Sequence, residues 1–171
     1  MIKRSIDKNI LLINILFITV IIVLFIKFFI SIEFYPLHDE TVIVERNTEW
    51  QNFIWRNYTS NHTINSFFAV ITKSLFGYNL LYYRFFSFLC FVGILYLFKK
   101  LFSNIILFSL LIILILSSNI LTNYIWIFRG YYVWAFLTVL NLYFLKLFLE
   151  NNYNNKYFKI IMIVNLLLCC H

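Results

Sequence analysis

Charged residues, glycine and proline are scarce in this sequence of 171 residues. Only 12% of the residues are charged, and the chain contains three glycines and one proline, whereas about a quarter of the residues in an ordinary soluble domain are charged. With a hydrophobic content of 63%, this composition excludes a disordered chain and a soluble cytosolic enzyme, because a soluble protein of this size could not hide so much apolar surface. The composition therefore indicates that lipid is the surrounding solvent.

Cysteine is also rare, and the three cysteines are Cys90, Cys169 and Cys170. Each lies in an apolar run, where a thiol usually behaves as a small hydrophobic side chain. Their spacing gives no disulfide framework, which excludes a disulfide-built secreted module. The terminal Cys169-Cys170-His171 predicts no metal site, because neighbouring residues on a helix point in different directions.

The net charge of +7 comes from 14 Lys and Arg residues against 7 Asp and Glu residues. These basic residues are scattered between long apolar runs and form no stripe, so we predict no nucleic-acid partner. Membrane topology explains them better, because Lys and Arg mark the cytoplasmic ends of spans.

Long apolar runs predict an all-α, polytopic membrane protein with about five transmembrane helices. The predicted spans cover about residues 10–30, 80–98, 105–121, 131–149 and 157–171. The fifth is still apolar at the last residue, but it is shorter than the roughly 17–25 residues that a crossing needs. We therefore expect residues 1–171 to be the N-terminal portion of a longer multi-span domain, or a broken reading frame, and to be inactive alone.

The charges between these spans predict how the chain crosses the membrane. Lysines gather before the first span, at Lys99-Lys100 and around the turn at Lys156, whereas residues 31–79 carry five of the seven acidic residues. We therefore place the N-terminus in the cytoplasm and residues 31–79 outside it. The apolar N-terminal run lacks the small-residue cleavage site of a signal peptide. The predicted location is the cell envelope, in a bacterial inner membrane.

The predicted outer loop is too long and too aromatic for a simple connection. Five apolar residues recur in it at helical spacing and predict an amphipathic helix suited to the membrane interface: Ile64, Phe67, Phe68, Ile71 and Leu75. Gly77 follows in the usual position of a left-handed C-cap. Trp50 and Trp55 predict a second, shorter interfacial helix over about residues 41–58.

An acidic pair, Asp39-Glu40, follows the first predicted span and is preceded by His38. One interpretation is a solvated acidic loop with no chemical role. The other is a general base at the border between water and lipid, because a carboxylate in low-dielectric surroundings accepts a proton more readily.

Three further residues have both a structural and a chemical interpretation. His62 is either a polar residue at the start of the amphipathic helix or a contact to a phosphate or acceptor, since helix N-termini favour anions. Arg129 is either part of an interfacial aromatic belt or a bidentate clamp on a lipid phosphate. Arg84 lies near the outer end of the second span, where we expect its side chain to snorkel to the interface.

The order of these motifs along the spans resembles that of the GT-C membrane glycosyltransferases that use polyprenyl-phosphate sugars. The nearest resemblance is to bacterial protein O-mannosyltransferase-like and aminoarabinose-transferase-like enzymes, and it covers the N-terminal half or less of their multi-span domain. The stretches that carry it are His38-Asp39-Glu40, Asn61-His62, Leu75-Phe76-Gly77-Tyr78-Asn79, Arg84-Phe85-Phe86-Ser87 and Arg129-Gly130-Tyr131. The chain departs from the family at Thr63 and Ile64, where prolines are common, and at Ile127, where a Glu is common.

The resemblance implies an inverting sugar transfer on the non-cytoplasmic side of the membrane, from a polyprenyl-phosphate donor to an acceptor hydroxyl on a lipid, glycan or protein. Asp39 would be the base, with Glu40 assisting it or binding the acceptor. Arg129 and, more weakly, Arg84 would bind the donor phosphate, and the remaining candidate contacts to the acceptor or phosphate are His62 and His38. The outer-loop acids could hold a divalent metal, although no ligand spacing demands one.

Two other classes of protein stay open at this point. A fragment of a transporter or flippase is one, although such proteins often use spans interrupted by Gly or Pro, and here the spans contain only Gly93. A non-catalytic membrane assembly subunit is the other.

Overall fold

The computed structural model describes residues 2–31, 63–102, 104–118 and 131–169. All regular secondary structure within these ranges is helical, which confirms the predicted all-α class. The helices, numbered in chain order, are α1 (Ile2–Ser31), α2 (Thr63–Phe76), α3 (Leu80–Leu101), α4 (Ile105–Ser117), α5 (Tyr131–Glu150) and α6 (Asn155–Cys169).

Three of the described helical segments are long and apolar enough to cross a membrane. They are Ile10–Phe29 within α1, all of α3 and all of α5, and they correspond to the first, second and fourth predicted spans. The 13 residues of α4 and the 15 residues of α6 give lengths of about 20 and 23 Å, which are below the roughly 30 Å of a hydrocarbon core. The described residues thus contain three full-length candidate spans where the sequence predicted about five.

The third predicted span, residues 105–121, is shorter in the structure because α4 ends at Ser117. The Ser117 hydroxyl donates a hydrogen bond to the Leu114 carbonyl at 3.1 Å, and the Ser118 N–H donates to the carbonyls of Leu114 and Ile115. Serine side chains compete in this way with the helical backbone pattern. Ser118 itself has extended backbone angles, so the helix stops there.

Aromatic contacts show that α1 and α3 run antiparallel. Phe28, near the end of α1, stacks on Phe88 with ring centroids 5.2 Å apart. Earlier in α1, the Phe17 ring lies 6.4 Å from Tyr96 and 4.8 Å below the Lys99 ammonium. The two helices therefore pass along each other for about three turns, as the predicted alternation of spans requires.

The helices α3 and α5 run parallel, because their contacts advance together along both helices. Phe91 meets Tyr132 edge-on at 5.4 Å near the start of α5. At the other end, the Lys146 ammonium donates a hydrogen bond of 3.2 Å to the Leu101 carbonyl. This bond satisfies one of the carbonyls that the C-terminus of α3 leaves without a partner inside the helix.

A tight turn folds α6 back along α5. Asn152 and Tyr153 have φ angles of 50° and 59°, and the Tyr153 N–H donates to the Phe148 carbonyl at 2.9 Å. An antiparallel helical hairpin results, and the Asn141 amide donates to the Asn165 side-chain oxygen across it at 2.8 Å. The Asn-rich segment that the sequence places between two spans is therefore the hairpin turn.

The helix predicted from the amphipathic pattern is present as α2. Gly77 ends it with φ of 71°, and its N–H donates to the Lys73 carbonyl at 2.9 Å, as a left-handed C-cap does. The next helix begins at once, because the Asn79 side chain accepts a hydrogen bond of 3.0 Å from the Leu81 N–H. The second interfacial helix, predicted over about residues 41–58, lies outside the described residues.

Candidate functional site

Five of the six predicted site residues lie outside the described part of the chain. They are His38, Asp39, Glu40, His62 and Arg129. Their assignment as base, acceptor contacts and phosphate clamp stays a prediction. The sixth residue, Arg84, is described.

Arg84 lies in the second turn of α3 and is only 4% exposed. The sequence predicted a side chain that snorkels outward, and the structure buries it instead. Next to it, α2 packs over the first turns of α3, so that Ala69 and Tyr83 form a small buried core with Leu80 and Phe86 at its edge. A buried guanidinium in a helix of membrane length is costly, and such residues usually have a functional role.

The contact between α2 and α3 depends on small residues of α2. Ser66, Ala69 and Val70 are almost fully buried, whereas Phe67 and Leu75 are exposed. Small side chains let two helices approach closely. One large ring of α2 also takes part, since Phe68 stacks on Phe86 with ring centroids 3.9 Å apart. The large apolar residues that predicted the helix thus point partly outward, where lipid would cover them.

Polar side chains follow one face of α3 beside this contact. Tyr83 and Ser87 are one turn apart and both fully buried, and Arg84 is on the same side of the helix as Ser87. The Ser87 hydroxyl finds no hydrogen-bond partner among the described residues. The sequence offered only the spacing of Arg84 and Ser87 as a signal, because burial depends on packing between segments that are distant in the chain.

Two apolar cavities flank α2. The inner cavity, of 440 Å³, lies between α2, α3, α5 and α6. The second, which we name the aromatic groove, has 480 Å³ and lies between α1, α2 and α3. Six of the groove's lining residues are Phe28, Phe29, Thr72, Phe76, Tyr82 and Phe85. Sequence reasoning missed both cavities, since each is formed by helices that are distant in the chain.

No group of three or more His, Cys, Asp or Glu side chains that could hold a metal ion occurs within the described ranges. The acids of the predicted outer loop lie elsewhere in the chain. The described part of the site is therefore a buried cation, with the buried side chains of Tyr83 and Ser87 beside it on α3.

Comparison with known proteins gives no relative: no protein family, no curated protein and no solved structure matches this chain.

Proposed function

We propose that this chain provides the first spans and the first outer loop of a GT-C glycosyltransferase that uses a polyprenyl-phosphate sugar donor. The junction between α2 and α3 is the observation that carries the proposal. Two stretches that resemble the family, Leu75–Asn79 and Arg84–Ser87, form the helix end with its left-handed cap and the following helical turn, in which Arg84 and Ser87 are buried. Arg84 supports it further, because a buried cation suits a site that stabilises a developing phosphate charge.

The proposed reaction needs one base and one cation. The acceptor oxygen attacks the anomeric carbon from the face opposite the phosphate, and the bond between this carbon and the phosphate oxygen breaks with inversion. Asp39 takes the acceptor proton, and the polyprenyl phosphate leaves with one more negative charge. Because the leaving group is already an anion, it needs charge stabilisation rather than a general acid, unlike the leaving group of a glycoside hydrolase.

The remaining candidate residues have side chains whose chemistry suits binding in this scheme. Arg129 is the main candidate cation for the leaving phosphate, and Arg84 is the second. Glu40 assists the base or binds the acceptor, and His62 and His38 contact the acceptor or the phosphate. The reaction takes place on the non-cytoplasmic side of a bacterial inner membrane, where a lipid-bound donor meets a lipid, glycan or protein acceptor.

The Asp39→Asn variant tests the proposal directly. We expect sugar transfer from the polyprenyl-phosphate donor to fall at least about 100-fold, because a positioned general base contributes roughly that much or more to the rate. Transfer is measured in detergent-permeabilised membranes from cells that express the complete reading frame, so that movement of the donor across the bilayer is not required. The readout is loss of the polyprenyl-phosphate sugar, followed by mass spectrometry of extracted lipids.

Glu45→Gln is the matched control, because it removes one negative charge from the same predicted loop at a residue that has no proposed role in proton transfer or acceptor binding. Immunoblotting shows whether both variants reach the parental amount in the membrane. Lost transfer in Asp39→Asn alone, at normal expression, counts against a transporter and against an assembly subunit. Unchanged transfer in that variant rejects Asp39 as the base.

A further inference from the structure

The N-terminus of α5 lies beside α3, well inward of the point where α3 begins. Phe91 meets Tyr132 edge-on at 5.4 Å. Because the two helices run parallel, the first residue of α5, Tyr131, lies beside the α3 turn that precedes Phe91. At 1.5 Å per residue, that turn is about 10 Å along the helix from the start of α3 at Leu80. The start of α5 is accordingly enclosed, and Tyr132 and Val133 are both buried.

Ser87 lies on the face of α3 that is turned toward this N-terminus. It is one turn before Phe91, and residues one turn apart share a helix face, so Ser87 belongs to the face that contacts α5. Its side chain is fully buried, and its Oγ atom has no hydrogen-bond partner among the described residues. A buried hydroxyl without a partner costs stability, and a bound ligand that accepts its hydrogen bond removes this cost.

The charges around Ser87 favour an anion. Arg84 is buried and lies three residues before Ser87, a spacing that puts the two Cβ atoms about 5–6 Å apart. Its guanidinium has five N–H donors and can bind an anion while it keeps other contacts. The N-terminus of α5 adds a partial positive charge of about half an elementary charge. Among the described helices that meet here, α2 and α3 carry no acidic residue, and the acid of α5, Glu150, is at its other end.

Apolar surface adjoins these polar groups. The inner cavity is lined by Phe86 and Cys90, which lie on either side of Ser87 along α3, and by Val133 in the first turn of α5. A free phosphate ion gains nothing from such a lining, whereas a phosphate attached to a hydrocarbon chain gains the burial of that chain. The anion that suits this place is therefore the phosphate of a lipid.

We propose that Ser87, Arg84 and the N-terminus of α5 bind the phosphate group of a membrane lipid, with the Ser87 hydroxyl donating a hydrogen bond to a phosphate oxygen. The proposal adds Ser87 and α5 to a role for which Arg84 alone was a candidate among the described residues. The identification of this lipid as the leaving polyprenyl phosphate rests on the proposed function, whereas the binding of a lipid phosphate does not.

Native mass spectrometry of the delipidated full chain tests this site with matched pairs of ligands. Polyprenyl phosphate is compared with the polyprenol of the same length, and phosphatidic acid with the diacylglycerol that has the same acyl chains, so that each pair differs by the phosphate alone. We expect Ser87→Ala to weaken the binding of a lipid phosphate about tenfold, the low end of what a hydrogen bond to a charged group contributes. Binding of the two alcohols should not change.

Ser74→Ala is the matched control, because the Ser74 hydroxyl already donates to the Val70 carbonyl at 2.9 Å within α2. It should leave the binding of every lipid unchanged. Arg84→Gln should weaken the binding of the lipid phosphates at least about tenfold, since charged hydrogen bonds to phosphate are strong ones. Circular dichroism shows whether Arg84→Gln keeps its helices; if it loses them, the two serine variants decide.

The stability of Ser87→Ala without ligand separates a binding role from a structural one. The substitution removes a buried hydroxyl that has no partner, so the variant should unfold in micelles at the temperature of the parent or above it. A lower unfolding temperature would mean that the hydroxyl supports the fold, and it would count against the proposal.

Equal binding of each lipid phosphate and its alcohol, or lipid-phosphate binding that is unchanged in Ser87→Ala, would overturn the proposal. Binding of inorganic phosphate without binding of either lipid would overturn it as well. Binding of polyprenyl phosphate that depends on Ser87 supports a site for the carrier, whereas such binding of phosphatidic acid alone keeps the lipid-phosphate site and rejects the carrier. Asp39→Asn should bind polyprenyl phosphate as the parent does, so that a failure of sugar transfer and a failure of phosphate binding are separate results.

Discussion

A hydrogen bond between Asn141 and Asn165 links α5 and α6 away from their turn. Both side chains are partly buried, in a helix pair whose outer surface is apolar. A partly buried amide that loses its partner in such surroundings has no water to replace it. Removing one asparagine therefore leaves the side chain of the other without a hydrogen bond. The bond therefore sets the register of the two helices as well as adding stability.

The Asn pair gives a prediction at the residue scale. We expect Asn141→Leu and Asn165→Leu each to destabilise the protein by about 1 kcal/mol, and the double variant to cost less than the sum. The expected coupling is about 0.6 kcal/mol, the average for hydrogen bonds between membrane helices, and at most about 1.7 kcal/mol. Reversible unfolding in detergent micelles, followed by loss of helical signal, measures the four free energies of the cycle.

Thr138→Val combined with Asn165→Leu is the control cycle for this pair. Thr138 lies one turn before Asn141, but its hydroxyl donates within α5 to the Trp134 carbonyl at 2.9 Å. It should therefore show no coupling to Asn165. Strictly additive effects of the two Asn substitutions would mean that the hydrogen bond contributes nothing to the folded state.

Residue-scale features were predictable where they depend on neighbours in the chain. The Gly77 cap is one such feature, because the glycine lies two residues after Leu75, the last apolar position of the amphipathic pattern. The burial of Arg84 and the Asn141–Asn165 bond were not predictable, since each depends on which helix packs where. The outcome for Asp39 and Arg129 stays a prediction, because these residues lie outside the described part of the chain.

Close contact between α3 and α5 depends on the absence of a side chain at Gly93. A Cβ atom built there would lie 2.6 Å from Cε2 and 3.0 Å from Cδ2 of Phe136, well inside the van der Waals distance. Phe136 also lines the inner cavity, so its ring has free space on the far side. The sequence shows Gly93 only as a lone glycine within a span. Its contact with Phe136 could not be predicted, because it depends on how α3 and α5 pack.

At the element scale we expect Gly93→Ala to destabilise the protein by about 1–3 kcal/mol, the usual cost of an overpacked contact. Phe136→Leu removes the ring edge and should relieve the clash, so the double variant should be less destabilised than the two single effects predict together. The same unfolding measurement in micelles gives the cycle. A Gly93→Ala variant as stable as the parent would show instead that the Phe136 ring moves into the inner cavity without cost.

The length of a helix was predictable from composition only where the helix ends at the same residues as its apolar run. The predicted first, second and fourth spans became α1, α3 and α5 because long apolar runs end at polar or charged residues. The third run contains Ser117-Ser118, whose side-chain and backbone hydrogen bonds end α4 early. Serine in a helix is compatible with continuation or termination, so hydropathy alone could not separate the two outcomes.

Charge is distributed unevenly over the whole molecule. Lys99 and Lys100 end α3, Lys146 binds the last carbonyl of α3, and Lys156 begins α6. This is the end that the sequence predicts to face the cytoplasm. Because α3 and α5 run parallel, the segment before α3 and the turn after α5 must lie at opposite ends of the helices.

The last prediction concerns the orientation of the molecule in the membrane. In a background with Cys90→Ala, Cys169→Ser and Cys170→Ser, single cysteines are placed at two exposed positions by Tyr78→Cys and Asn155→Cys. A membrane-impermeant maleimide should label the Tyr78→Cys protein in intact cells and the Asn155→Cys protein only after permeabilisation, because Lys-rich ends stay in the cytoplasm. Labelling after denaturation controls for the reactivity of each thiol.

Two labelling results would contradict the predicted orientation, and they have different consequences. If both cysteines react from the same side, α3 and α5 do not cross the membrane in parallel, and the fold itself is contradicted. If the pattern is reversed, the fold stands, but the predicted outer loop with Asp39 lies in the cytosol. A base on that side could not meet a sugar presented outside the cell, so the proposed transfer reaction would be rejected, whereas the packing of the helices would be unaffected.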